Sequence, residues 1–284
     1  MGRIAEALKR AQQERVRCAA GEAAASQHAA DTFAEGGILA PESFPAFVVS
    51  TPPILPDQVA PEVVMLHDPT CRVAERYRAA RTRLLSGQPG GKARIFAITS
   101  SLPGEGKTIT TANLGFSLAE LRHLRVAVID CDFRQQGLTA SCNAKGRPGL
   151  AEVIQGQAAL ADVCVPLVRE NLFLIPAGNP KSITPSELLA EPSAAAVFRE
   201  INGRFHYGLI DTPPASTVAD IGLVAPLCHS VVIVLRMGKT PEHLLQRCVR
   251  MLQANHVAIA GSILVGYCEQ TMACRDGDYY QGRL

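Results

Sequence analysis

A short loop near the middle of the chain has the residue types needed to bind phosphate. Residues 100–108 read SSLPGEGKT and follow the apolar run 95–99, which predicts a buried strand. Backbone N–H groups of such a loop point inward at an anion, and a helix starting near Lys107 adds the positive end of its dipole. The segment therefore predicts an anion-binding loop between a strand and a helix.

The loop comes close to the nucleotide-binding pattern G-x-x-x-x-G-K-S/T. In that pattern the lysine contacts the β- and γ-phosphates of ATP and the hydroxyl binds Mg²⁺, positions held here by Lys107 and Thr108. Ser101 stands where the pattern requires glycine, so an ordinary strand-to-helix turn is the alternative for the loop alone. The predicted nucleotide-binding residues are Pro103, Gly104, Glu105, Gly106, Lys107, Thr108 and Ile109.

Three aspartates follow apolar runs that predict further strands. Asp130 ends the run 126–130 and is followed by Asp132 and Arg134, while Asp211 ends the run 207–211. Ligands of open α/β sheets bind at the carboxyl ends of the strands, and Mg²⁺ prefers carboxylate oxygens. Each aspartate alone is more often a helix cap or turn residue. Together with the loop, they predict a nucleotide and magnesium site.

The elements that position these residues alternate along the chain. Apolar strands alternating with helices predict an α/β fold of the P-loop NTPase type, a mostly parallel sheet with helices on both faces. The predicted strands are 95–99, 126–130, 172–176, 207–211, 231–235 and 259–265, and the predicted helices are 71–85, 107–121, 194–205 and 241–254.

Composition excludes several classes of protein. The net charge of +2 gives no general bias towards nucleic acid, and no apolar run reaches the roughly 18 residues that a membrane span needs. Nine cysteines without a CxxC pair favour reduced thiols and no cysteine-bound metal. Charged residues near the N-terminus argue against a signal peptide, so we expect a cytoplasmic protein.

The chain divides into three predicted parts. Residues 1–66 combine an amphipathic helix at 2–15, which either docks to a partner or is solvated, with a proline-rich flexible linker. Residues 67–266 hold the nucleotide-binding motifs, and residues 267–284 read as a flexible tail that contains tyrosines.

The motifs SSLPGEGKT (100–108), VIDCDFR (128–134) and LIDTPP (209–214) closely resemble those of bacterial tyrosine kinases of capsule and exopolysaccharide assembly. The resemblance extends over roughly residues 70–270 and makes Ser101 a feature of the family. The N-terminal GRIAEALKRA resembles the start of soluble members that act beside a membrane-embedded polysaccharide chain-length regulator. This implies a peripheral location at the inner face of the cell membrane through that partner, and a cognate tyrosine phosphatase.

The resemblance also implies the chemistry of the site. Lys107, Thr108, Asp130 and Asp211 organise ATP and Mg²⁺, with Thr108, Asp130 and Asp211 as metal ligands. Asp130 or Asp132 orients or deprotonates a tyrosine hydroxyl, and Arg134 stabilises the transferring phosphoryl group. Three of the five tyrosines, Tyr267, Tyr279 and Tyr280, lie in the tail. The adjacent pair Tyr279 and Tyr280 is the expected phosphoacceptor; incidental tail residues, with Tyr267 packed at the last strand, are the alternative.

A further family element concerns self-association. Glu75, Arg78 and Arg81 reproduce the E-x-x-R-x-x-R spacing through which these kinases form rings, and on a helix they project to neighbouring positions. A solvated charged face with an internal salt bridge is the alternative.

Two other functions fit part of the pattern. Regulatory ATPases of the cell-division and partition type carry a second lysine five residues before the common one, where this chain has Leu102. An ATP-binding scaffold without kinase activity would retain every motif residue. The sequence therefore favours an ATP-dependent tyrosine autokinase and keeps the ATPase switch and the scaffold as alternatives.

Overall fold

The computed structural model describes residue 47 and residues 49–86, 94–215 and 220–266. Within these ranges seven strands form one sheet in the order β3-β4-β2-β5-β1-β6-β7. Only β3 runs antiparallel, against β4, and the other neighbours are parallel. The strands are β1 (Arg94–Ser100), β2 (Val126–Asp130), β3 (Val165–Leu167), β4 (Arg169–Ile175), β5 (Tyr207–Asp211), β6 (Ser230–Arg236) and β7 (Ile259–Val265).

Ten α-helices lie within the described ranges, two before β1 and the others between strands. None of them is both long and apolar enough to cross a bilayer. They are α1 (Val64–His67), α2 (Arg72–Ser86), α3 (Lys107–Ala119), α4 (Gly137–Ser141), α5 (Leu150–Ile154), α6 (Leu160–Val163), α7 (Pro185–Ala190), α8 (Pro192–Asn202), α9 (Asp220–Val224) and α10 (Glu242–Ala254). Short 3-10 helices span Pro56–Gln58 and Ala225–Leu227.

The core lies on both faces of the sheet. Successive side chains of β1 alternate between them, so that Ile95 contributes to one apolar cluster and Phe96 to the other. Helices α8 and α10 cover the first face, while α3 covers the second with α2 packed on its outer side. The predicted α/β fold, with a mostly parallel sheet covered on both faces, is confirmed.

Residues 54–66, which the sequence assigns to the linker, pack against the sheet domain. Ile54 is buried and its N–H donates to the Pro166 carbonyl at 2.9 Å. Met65 is also buried, and its N–H donates to Oδ1 of Asn113 at 3.0 Å. The prolines limit regular structure here to a 3-10 turn and the single-turn helix α1, but they do not prevent apolar side chains from packing. The described domain therefore begins before the predicted boundary at residue 67, and the predicted helix at 2–15 lies outside the described residues.

Candidate active site

The phosphate loop connects β1 to α3. Gly104 and Gly106 adopt φ values of +71° and +93°, a region that residues with a Cβ avoid. Gly106 immediately precedes Lys107, the first residue of α3. Pro103 is exposed and Ile109 is half-buried at the start of the helix. The loop is thus presented at the N-terminus of a 13-residue helix, where backbone N–H groups favour an anion.

Thr108 and Asp211 meet across the gap between α3 and β5. The hydroxyl of Thr108 donates to Oδ2 of Asp211 at 2.7 Å. Asp211 is fully buried at the end of β5, and its Oδ1 atom has no hydrogen-bond partner. A buried carboxylate oxygen without a donor beside a threonine hydroxyl is suited to a hard cation such as Mg²⁺.

Lys107 faces Asp132 at the other side of the loop. The Lys107 ammonium lies 3.3 Å from Oδ2 of Asp132, whose side chain is 1% exposed. The second oxygen, Oδ1, accepts from the N–H of Gln135 at 3.1 Å, which fixes the carboxylate in the segment after β2. Oδ2 receives no hydrogen bond. Asp132 therefore keeps one oxygen directed at the lysine of the phosphate loop.

Hydrogen bonds from neighbouring residues occupy both carboxylate oxygens of Asp130. Its Oδ2 accepts from the N–H and the hydroxyl of Thr139 at 2.8 and 2.7 Å, and its Oδ1 accepts from the N–H of Asp132 at 3.1 Å. The residue pairs in register with Asp211 on the adjacent strand. Sequence reasoning missed Thr139, which lies in α4 and has no motif of its own. The predicted aspartates are brought together, but Asp130 has both oxygens occupied.

Burial gives two of these carboxyl groups unusual pKa values. Burial raises the pKa of Asp211 to about 8, opposed by the nearby Lys107 and assisted by the charge of Asp130. Burial also raises the pKa of Asp130 to about 6, although the hydrogen bonds from Thr139 oppose the increase. The Asp211 carboxyl therefore retains a proton around neutral pH unless a positive charge replaces it.

Sequence comparison assigns this architecture to a family. A family model described as an AAA domain matches residues 93–259, more than half of the chain and the whole of the site. The chain belongs to the AAA domain family. The Lys107, Asp132 and Asp211 contacts all lie inside the matched range.

Several relatives of this AAA domain are named tyrosine-protein kinases. The chain is 28% identical over 194 residues to the tyrosine-protein kinase CpsD of Streptococcus agalactiae, covering 68% of this chain and 83% of the relative. It is 30% identical over 203 residues to the succinoglycan biosynthesis transport protein ExoP of Rhizobium meliloti, covering 71% of this chain. The chain spans only 26% of the length of that second relative.

A solved structure supports the same relationship. The kinase domain of the Escherichia coli tyrosine kinase ETK superposes with a TM-score of 0.67 at 25% identity, over 72% of this chain and 79% of that domain. The resemblance to bacterial tyrosine kinases and the P-loop NTPase fold are therefore confirmed.

The charged residues predicted for self-association form an internal cluster in this AAA domain. Arg78 and Arg81 of α2 bind the carboxylate of Glu120 at 2.6 and 2.8 Å, just beyond the end of α3. The hydrogen bonds from Arg78 contribute most to a lowered pKa of Glu120. Glu75 contacts Arg78 at 2.6 Å and remains 67% exposed. Sequence reasoning missed Glu120, which is 39 residues from Arg81.

Two predicted elements are not part of this cluster or of the carboxylate site. Arg134 is exposed, two residues after Asp132. Tyr267, Tyr279 and Tyr280 lie outside the described residues.

Proposed function

We propose that this chain is an ATP-dependent protein-tyrosine kinase that phosphorylates its own tail. One observation carries the proposal: two adjacent residues of the phosphate loop each contact a buried carboxylate. Lys107 contacts Asp132, and Thr108 contacts Asp211. Phosphoryl transfer requires mainly such positioning and electrostatic stabilisation. The kinases among the relatives support the choice of tyrosine as the acceptor.

Each site residue has a role under this proposal. Lys107 binds the terminal phosphates of ATP, with the N–H groups of residues 104–108. Thr108 and Asp211 would hold Mg²⁺, which neutralises phosphate charge when bound; Asp211 fits because its Oδ1 atom lacks a donor. Asp132 accepts or orients the proton of the tyrosine hydroxyl through its Oδ2 atom.

Asp130 and Arg134 have supporting roles. Asp130 accepts a hydrogen bond from the N–H of Asp132, which orients that backbone, and it adds negative charge beside Asp211. Because both of its oxygens are occupied, Asp130 would bind a metal only if it gave up its hydrogen bond from Thr139. Arg134 stabilises phosphoryl charge from the exposed end of the same segment.

The proposal extends to partners and location. We propose that Tyr279 and Tyr280 accept the phosphate and that copies of the chain associate through the face of α2 bearing Glu75, Arg78 and Arg81. Under the same proposal the protein is cytoplasmic and joins the membrane through a polysaccharide chain-length regulator, and a tyrosine phosphatase reverses the reaction. The relative from R. meliloti, a polysaccharide biosynthesis transport protein, supports this setting.

The decisive experiment is a phosphotransfer assay on the full chain. Purified protein is incubated with radiolabelled ATP and Mg²⁺, alone and after co-expression with a candidate chain-length regulator, and phosphotyrosine is mapped by mass spectrometry. We expect phosphate on Tyr279 and Tyr280 that is absent from Lys107→Met. A matched control is Lys145→Met, which changes a lysine outside the site.

Other outcomes would favour the alternatives. Hydrolysis of ATP without phosphotyrosine under either condition would indicate a regulatory ATPase. Nucleotide binding without hydrolysis or transfer would indicate a scaffold. Leu102 already disfavours the ATPase, because that class has lysine at the position.

A further inference from the structure

The turn between β6 and α10 is tied to the phosphate loop by a chain of hydrogen bonds. The hydroxyl of Thr240 donates to Oε1 of Glu105, and Oε2 of the same carboxylate accepts from the N–H of Leu102 at 2.8 Å. The Thr240 hydroxyl also accepts from the N–H of Arg236 at 2.9 Å. One side chain of the turn thus connects the end of β6 to the start of the phosphate loop.

Burial makes this link more than a surface contact. Glu105 is fully buried, although it lies within a loop whose tip is exposed. A buried carboxylate needs donors, since leaving it without them costs the full desolvation penalty. Thr240 and Leu102 supply one donor to each oxygen. The conformation of the loop between Leu102 and Glu105 therefore depends on the hydroxyl of Thr240.

The same turn holds the tip of the loop. Arg236 and Lys239 both donate to the carbonyl of Gly104, at 3.1 and 3.2 Å. Gly104 has a φ of +71°, and a Cβ at this position would come within 2.8 Å of the Lys239 ammonium. Because Ser230–Val234 of β6 pair with β1 up to Ser100, the turn after β6 emerges beside the loop that follows β1. The loop is therefore constrained at two successive points from one neighbouring segment.

We infer that Thr240 is a positioning residue for nucleotide binding, acting through Glu105 on the phosphate loop. Its hydroxyl keeps the loop in the form that presents N–H groups to a nucleoside triphosphate, so the ligand does not have to order the loop on binding. The inference rests on the proposed function only in requiring that the loop binds nucleotide. It concerns a residue outside every motif that defines the site.

A purely structural role is the main competing explanation, and the chain contains a matched control for it. Thr184 caps α7 through the same pair of residue types at an exposed position, with its hydroxyl 2.8 Å from Oε2 of Glu187. Loss of either threonine hydroxyl removes two hydrogen bonds: for Thr240 those with Glu105 and the Arg236 N–H, and for Thr184 those with the carboxylate and the N–H of Glu187. Only Thr240 is connected to the phosphate loop.

The test compares nucleotide binding by the full-length variants Thr240→Val, Thr240→Ser and Thr184→Val. Binding of a fluorescent ADP analogue with Mg²⁺ is measured by titration, and the KM for ATP and kcat are measured separately. We expect Thr240→Val to weaken binding and raise KM at least about tenfold, as for one lost hydrogen bond to a charged group, with kcat nearly unchanged. Thr240→Ser restores binding, and Thr184→Val leaves it at the wild-type value.

The outcomes separate this inference from the proposed function. If wild type binds the analogue and Thr240→Val binds it equally well, the positioning role is wrong while nucleotide binding stands. Failure of the wild type to bind any nucleotide overturns both. Should Thr240→Val not fold, Thr240→Ala tests the same link, and unchanged affinity in that variant also overturns the inference.

Discussion

The substitution Asp211→Asn separates the effect of the buried Asp211 carboxyl on folding stability from its role in ligand binding. Asp211 is fully buried, and burial raises its pKa to about 8 from an ordinary value of 3.8. The folded state therefore binds a proton that the unfolded state releases between these two values. The stability contribution of this group is fully present below the unfolded pKa and is lost as pH rises towards the folded pKa.

The magnitude follows from proton linkage. One proton of difference gives a slope of at most about 1.4 kcal/mol per pH unit. Between pH 5 and pH 7 the free energy of unfolding of the wild type should therefore fall, relative to that of Asp211→Asn, by up to about 2 to 3 kcal/mol. The asparagine cannot ionise but can still accept the hydrogen bond from the Thr108 hydroxyl. The stability of the variant should therefore not fall with pH in this way.

The measurement is urea unfolding at intervals between pH 5 and pH 8, in EDTA and without nucleotide. Asp57→Asn, which changes an exposed aspartate, serves as the control for a general charge effect. Parallel pH profiles for wild type and Asp211→Asn would refute the reasoning, because they would show that the buried carboxyl does not hold a proton. With Mg²⁺ and nucleotide present, the wild type should become more stable to unfolding than Asp211→Asn at pH 7, since only the wild type gains stability from the ligand.

Three further predictions follow from neighbouring contacts. Thr139→Val removes a donor from ionised Asp130, so it should lower the free energy of unfolding by about 1 to 3 kcal/mol at pH 7 and by less at pH 5, whereas Thr139→Ser should not; urea titrations at both pH values test this. Glu120→Gln should cost about 0.5 to 1 kcal/mol by the same assay, less in high salt, because its arginine partners are partly exposed. Tyr279→Phe with Tyr280→Phe should abolish tail phosphotyrosine by mass spectrometry without changing nucleotide affinity; phosphate elsewhere in the double variant would contradict the acceptor assignment.

The sequence was most informative where strands are buried on both faces. The runs ending at Asp130 and Asp211 were bounded correctly, since a continuous apolar segment followed by a carboxylate admits few alternatives. Strand β3 was missed because it has three residues, one of them a proline, and forms through long-range pairing with β4 and with Ile54 at the sheet edge. Helix α8 starts two residues before the predicted Ala194, where Pro192 occupies the first helical position.

The partners of the site residues could not be predicted in the same way. Thr139, Glu120 and Thr240 hold functional side chains that lie 9, 42 and 135 residues away in the chain. Threonine and glutamate are common surface residues, and their spacing to the motif carries no periodic signal. The pairing of β1 with β6 brings Thr240 to the phosphate loop, the packing of α2 on α3 brings Glu120 to Arg78, and the fold of the segment after β2 returns Thr139 to Asp130.

The carboxylates of the site carry charge of the same sign as the phosphates of the proposed nucleotide. The ammonium of Lys107 contacts Asp132, and two further aspartates, Asp130 and Asp211, lie at the same edge of the sheet. The charge of Asp132 raises the pKa of Asp130, and the charges of Asp130 and Asp132 raise that of Asp211, in each case in addition to burial. Such a cluster repels a triphosphate, while the phosphate loop and its helix attract one. A divalent cation at Thr108 and Asp211 converts the repulsion into attraction, so under the proposed function the metal and the nucleotide bind with mutual dependence. The raised pKa of Asp211 is consistent with this, because the proton occupies the position of the missing positive charge.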